Sequence, residues 1–203
     1  MYKKPIIVFE GIESSGKSYH INNVANYLKK KNIEFIKIRE PGGNNNSEKI
    51  RKLILDNKST FNNNTDLLLY LSARSENTDT IQKNFRKKVI LIDRFTDSTI
   101  AYQHYGMGIN KKLITLINNY LLKNIKVDFT FINLVNQKNM KSRLLKRKKL
   151  NRYDKFNSFF YKKVQDGFIK ILKKNPKKYM KIDSNMDINL NKKIIINKIN
   201  NLI

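Results

Sequence analysis

The chain has 203 residues, of which 40% are hydrophobic, and no cysteine. That length suits one domain with its own core, and the lack of thiols excludes a disulfide framework or a thiolate metal site. Lys and Arg number 42 against 16 Asp and Glu, a formal net charge of +26, and no apolar run approaches the ~20 residues that cross a bilayer.

Met1-Tyr2-Lys3-Lys4-Pro5 leads directly into Ile6-Ile7-Val8-Phe9, a short buried strand. No room is left there for a signal peptide, so a cytoplasmic protein is expected. Gly11-Ile12-Glu13-Ser14-Ser15-Gly16-Lys17-Ser18 follows, satisfying G-x-x-x-x-G-K-[ST] between that strand and a helix from Lys17 to about Lys31. In this context the pattern is a phosphate-gripping loop. Its glycines turn backbone N–H groups toward phosphate oxygens, and the helix start adds positive dipole. Lys17 would reach the outer phosphates of ATP or GTP and the Ser18 hydroxyl would sit on Mg²⁺. The nucleotide site therefore comprises Gly11, Ser14, Ser15, Gly16, Lys17 and Ser18.

Phe35 to Ile38 forms a second strand, ending at Arg39-Glu40-Pro41-Gly42-Gly43. A surface turn would use the Pro and Gly but has no need of Arg39, which suits a phosphate or acceptor contact. A short helix runs from Ser47, its expected N-cap, to about Leu55, and a longer one from about Thr65 to Phe85. Tyr70 and Arg74 lie on one face of the longer helix. They can stack on and hydrogen-bond a nucleobase, or be a core tyrosine beside a surface arginine. Val89 to Ile92 is the most clearly buried strand and runs into Asp93-Arg94. There, Asp93 can hold a hydrated magnesium while Arg94 binds an anionic group. Helices follow over about Asp97–Tyr105 and Lys111–Asn124, then a strand at Phe129–Ile132. A strongly basic helix is expected from Asn136 to Lys149, another helix over Phe156–Lys174, a strand at Tyr179–Ile182, and a closing helix from Leu190.

Strands alternating with helices imply an α/β fold: a parallel sheet of about five strands with helices on both faces. The segments at Gly11, Arg39 and Asp93 each follow a strand, so they converge on the crevice beyond the strand ends. No linker or repeat divides residues 1–203. The charge has two readings, a nucleic-acid surface or A/T-rich coding of Lys, Asn and Ile. Lysines spread over nearly every segment favour the second, so nucleic acid is not an expected partner. Either way, the positive field attracts phosphorylated ligands in a salt-dependent manner.

Four segments, in order, give the chain a resemblance to the thymidylate kinase family: FEGIESSGKS at 9–18, REPGG at 39–43, DRFTDS at 93–98 and AYQ at 101–103. The resemblance implies a P-loop kinase fold with a small lid at about 143–155, ATP and Mg²⁺ as donor and metal, dTMP as acceptor, and a homodimer. It implies that Glu13 faces the sugar 3′-hydroxyl or the metal, that Arg39 and Arg94 bind the acceptor phosphate, and that Asp93 organises Mg²⁺. Tyr70 matches the aromatic that stacks on thymine, Arg74 the base-binding arginine, Thr99 the small polar residue near the ring imide, and Gln103 a further pocket residue. Tyr102 matches the tyrosine that crowds the 2′ position and favours deoxyribose. Ser14 stands where one branch places a catalytic arginine, so the resemblance implies the lid-arginine type, with Arg143, Arg147 and Arg152 as its cations. Lys17, Arg94, Arg147 and Arg152 are the expected catalytic set. A solvated basic helix is the competing reading of the lid arginines.

Several positions depart from the family pattern. Asn133 and Asn151 replace acids near the lid, Tyr19 replaces a small hydroxyl residue, Asn44 a threonine and His104 a glycine. None removes a group the chemistry requires, but the lost acids put lid closure in question. No general base is needed, because a monophosphate oxygen is mostly anionic at neutral pH, with a second pKa of ~6. His20 is accordingly read as a surface residue. Two alternatives remain: a P-loop kinase of another small deoxynucleotide or nucleoside, and a basic nucleic-acid-binding P-loop protein.

Overall fold

A computed structural model describes residues 4–203; the expectation for Met1, Tyr2 and Lys3 lies outside the described residues. Five parallel strands form one sheet in the order β2-β3-β1-β4-β5. They are β1 (Ile6–Gly11), β2 (Phe35–Arg39), β3 (Val89–Asp93), β4 (Phe129–Leu134) and β5 (Tyr179–Asp183). β1 is central, pairing Phe9 with Asp93 on one side and Phe131 on the other, and all six of its residues are buried. A parallel strand covered on both faces reads as a continuous apolar run.

Alternating side chains feed two cores. Ile7 and Phe9 pack with Ile21, Val24 and Leu28 of α1 (Lys17–Lys30) and with Ile195 and Ile199 of α8 (Ile188–Asn200). Ile6 and Val8 face the opposite side, with Ile90, Ile92, Ile81 and Leu122. There α3 (Asn63–Asn84) and α5 (Lys111–Leu122) cover the sheet.

Other boundaries differ from the sequence reading, for identifiable reasons. Asn44, not Ser47, caps α2 (Asn45–Leu55), its side chain accepting from the Ser47 N–H at 2.8 Å. The Ser47 hydroxyl is buried and bonds the Gly42 and Ala73 carbonyls instead. The segment expected as one helix after Asp93 is a single turn, α4 (Thr96–Thr99), continued by a π-helical stretch over Ile100–Gly106. The basic helix is shorter than expected: α6 (Gln137–Leu145) stops well before Lys149. A short 3₁₀ turn, Arg152–Lys155, then leads into α7 (Ser158–Lys174). No described helix is long and apolar enough to cross a membrane.

Candidate active site

The ends of β1, β3 and β2 lie side by side in that spatial order, because Phe9 and Arg39 both register on Asp93. The three motifs that follow these strands therefore meet in one cleft of about 410 Å³.

The phosphate loop forms one wall. Gly11 has φ +139°, and a Cβ there would lie 2.3 Å from the Asn133 carbonyl oxygen, so only glycine lets β1 turn this close to β4. Lys17 is folded onto its own loop. Its Nζ donates to the Gly11 and Ile12 carbonyls at 2.9 and 2.8 Å and to Ser15 Oγ at 3.3 Å. Burial, reinforced by the nearby Arg94 charge, lowers the Lys17 pKa to about 7. Ser18 Oγ donates to Asp93 Oδ2 at 3.1 Å, placing a hydroxyl and a carboxylate together at the loop mouth.

Arg94 adopts φ +64° and turns back across the loop. Its guanidinium donates to the Gly11 carbonyl at 2.7 Å, to Glu13 at 2.9 Å and to Tyr102 Oη at 3.3 Å. Tyr102 in turn donates to Glu13, and the Arg94 charge lies 5.2 Å from its ring centroid. Desolvation opposes the Arg94 charge, but Tyr102, Glu13 and Asp93 hold its pKa well above the usual arginine value.

The opposite wall comes from α3. Arg74 is not a surface arginine beside a core tyrosine: it is the more buried of the pair, at 2% exposure. It donates to Glu40 at 2.7 Å, to Asn118 at 2.5 Å and to Thr99 at 3.0 Å. Burial raises the Glu40 pKa, opposed by Arg74. Tyr70 is half-buried and meets the Tyr153 ring edge-on, 5.8 Å between centroids. The π-helical stretch presents Tyr102 and Gln103, and the buried Gln103 Nε2 has no partner among the described residues. Arg39 lines the entrance, bound to Glu48 through two contacts of 2.9 and 3.0 Å.

Of the three arginines expected in a lid, Arg143 and Arg147 line the cleft. Arg143 donates to the Ser14 and Ser184 carbonyls at 3.2 and 2.7 Å, while Arg147 pairs with Asp154 at 2.7 Å. Arg152 is not brought into the cleft. It bonds Asp66 and the Ile54 carbonyl and lies against the Phe61 and Tyr153 rings. Asn151, which stands where the family pattern has an acid, forms a reciprocal cap with Asp154 at the start of the 3₁₀ turn. His20 is a correction: it is 2% exposed, and burial lowers its pKa to about 4.

Sequence reasoning missed Arg51, which lines the cleft and donates to the Pro41 carbonyl at 2.6 Å. Its place on α2, facing back toward the Arg39 turn, was the available signal. Tyr153 was also missed, because its neighbours Tyr70 and Tyr102 come from distant segments.

A phosphate loop at the central strand of a five-stranded parallel sheet, with a second cationic corner opposite, defines a P-loop nucleotide kinase fold. The thymidylate kinase family model matches residues 9–195. The thymidylate kinase of Thermosipho africanus is 38% identical over 169 residues, covering 82% of this chain and 84% of that protein. That of a Sulfurihydrogenibium species is 36% identical over 196 residues, covering 95% of each. The crystal structure of thymidylate kinase from Ehrlichia chaffeensis superposes with a TM-score of 0.77 at 33% identity, covering 97% of this chain and 98% of the other. The chain belongs to the thymidylate kinase family.

Proposed function

We propose that this protein transfers the γ-phosphoryl group of ATP to dTMP, giving dTDP and ADP. An acceptor phosphate oxygen bonds to the γ-phosphorus as the bond from that phosphorus to the β,γ-bridging oxygen breaks. The observation that carries the reading is the convergence of two cations in one cleft: Lys17 Nζ and Arg94 Nη1 both donate to the Gly11 carbonyl, at 2.9 and 2.7 Å, and Arg94 is held further by Glu13 and Tyr102.

Lys17, Ser14, Ser15, Gly16 and the Gly11 turn hold the ATP phosphates. Arg94 and Arg39 receive the acceptor phosphate, and Arg39 is the more adaptable because half its side chain is exposed. Tyr70 stacks on the base. Arg74, fixed by Glu40, Asn118 and Thr99, offers its remaining N–H groups to the base edge beside Gln103. Tyr102, whose hydroxyl is held by Arg94 and Glu13, is the residue that crowds the 2′ position in this reading. Ser18 and Asp93 fit Mg²⁺, a hard ion that takes one or two protein oxygens and completes its shell with phosphates and water. When bound, the ion neutralises charge on the β- and γ-phosphates. Arg147 supplies a further cation from the lid; Arg152 can do so only by releasing Asp66. With the acceptor oxygen already anionic, positioning and charge neutralisation carry the reaction.

A cytoplasmic homodimer fits the same reading. α5 exposes Leu113, Leu116 and Tyr120 along one face, suited to a second copy of the chain.

The test is ADP release with ATP, Mg²⁺ and a panel of monophosphates. Turnover of dTMP in preference to the ribose form, dCMP and dGMP is expected. Equal use of several acceptors would make the protein a broader monophosphate kinase. No turnover from folded, ATP-binding protein would sink the kinase reading.

A further inference from the structure

Glu10 is the fifth residue of β1, directly after Ile6-Ile7-Val8-Phe9, and is completely buried. A carboxylate is costly at such a position unless its oxygens are satisfied, and packing alone would be served by Val or Ile. Its partners are N–H and O–H groups. One oxygen accepts from the backbone N–H of Phe95 at 2.8 Å and of Ser98 at 3.1 Å; the other accepts the Ser98 hydroxyl. All three donors belong to the first turn after β3.

That turn is where the backbone is unusual. Arg94, with φ +64°, sits in the left-handed region that L-residues seldom occupy, and such conformations persist only where the surroundings impose them. The Arg94 N–H donates to the Phe9 carbonyl at 2.9 Å. Phe9 thus holds the turn on the near side of Arg94, and Glu10 holds it on the far side. The left-handed turn is what sends the guanidinium back over Gly11 and Glu13. A second link runs through Ser98, whose hydroxyl donates to Glu10 and lies 3.4 Å from Arg94 Nη1.

We infer that Glu10 is a positioning residue for phosphoryl acceptance: by fixing the left-handed turn after β3, it sets where the Arg94 guanidinium meets the acceptor phosphate. The inference rests on the assignment of Arg94 to that phosphate. Glu10 itself does not line the cleft.

The test compares Glu10→Ala, Glu10→Gln and Ser98→Ala with the wild type, titrating dTMP at saturating ATP and then ATP at saturating dTMP. Glu10→Ala removes every bond, Glu10→Gln keeps an oxygen for the two backbone N–H groups, and Ser98→Ala removes only the hydroxyl link. Glu10→Ala is expected to raise KM for dTMP about tenfold or more, with the KM for ATP within about twofold of wild type. Ser98→Ala should move the dTMP value in the same direction by less, and Glu10→Gln should stay near wild type. A merely structural role would lower kcat through a smaller folded fraction and leave both KM values alone. Unchanged KM for dTMP in Glu10→Ala would overturn the inference while leaving the kinase reading intact, as would Glu10→Gln behaving like Glu10→Ala. Should Glu10→Ala fail to fold, Ser98→Ala decides: an unchanged dTMP KM there overturns the proposal. A wild-type enzyme inactive on dTMP would instead overturn the kinase reading, and this inference with it.

Discussion

Lys17 is held by the loop it belongs to. With its Nζ turned onto the Gly11 and Ile12 carbonyls and shielded from water, its pKa lies at about 7, below the ordinary lysine value of 10.5. Between those values the unfolded chain binds a proton that the native loop does not. The stability of the ligand-free protein therefore gains from this group as pH rises through that window. ATP reverses the balance, because a polyphosphate beside the amine favours its charged form. Binding at about pH 8 should take up close to one proton, read by calorimetry as an enthalpy that changes with the buffer's ionisation enthalpy. Lys17→Gln should abolish the uptake. Wild-type binding with no buffer dependence would mean that the amine is already charged in the empty loop. Such residue-level detail is only partly legible in sequence. The loop pattern fixes which lysine faces phosphate, but part of its lowered pKa comes from the charge of Arg94, which arrives from the end of a strand more than seventy residues away. Arg74 is similar: its helix position is plain, whereas Glu40 and Asn118, which bury it, come from other elements.

Elements with strong local signals are the ones that sequence locates well. All five strands begin where their apolar runs predict, and their ends extend only one or two residues further, because neighbouring strands continue the ladder. Elements that answer to tertiary contacts are read less well. The stretch Ile100–Gly106 opens into π-helical geometry where Gly106 and Gly167 let α7 approach; a Cβ on Gly167 would fall 2.6 Å from the Tyr105 ring. The segment expected as a lid is the other case, since a run of lysines cannot reveal which arginine is anchored. Arg147 lines the cleft, while Arg152 ties the 3₁₀ turn to Asp66, itself 2% exposed, on α3. These placements predict separate phenotypes. Arg147→Ala should lower kcat by about a hundredfold, as expected for loss of a preorganised cation, and should also cost some stability, because the buried Asp154 carboxylate keeps only its Asn151 donors. Arg152→Ala leaves a buried carboxylate without its cation and should cost about 3 kcal/mol in denaturant unfolding. It should also speed amide hydrogen exchange around the 3₁₀ turn. A hundredfold kcat loss in Arg152→Ala at unchanged stability would show instead that this arginine leaves Asp66 to reach the phosphates during turnover.

For the whole molecule, charge governs two encounters in opposite ways. A body with formal charge +26 attracts nucleotide anions and repels its own copies. A contact between copies therefore needs a face free of lysine, and such faces are scarce in this chain. Residues 113–122 of α5 carry no charged side chain, and they expose Leu116 by 67% and Tyr120 by 78%. Leu113, Leu116 and Tyr120 recur at i, i+3 and i+7, so they share one face of the helix. If copies meet there, apolar burial must overcome long-range repulsion, and salt removes the repulsion without weakening the burial. Raising sodium chloride from about 50 to about 500 mM should therefore tighten the dimer in analytical ultracentrifugation. Over the same range KM for both nucleotides should rise, because the field that gathers them is screened. Leu116→Lys should leave the protein monomeric at both concentrations while its cleft keeps the same salt response. A dimer that loosens with salt, or that survives Leu116→Lys unchanged, would place the contact on a charged surface elsewhere and leave the α5 stripe without that role.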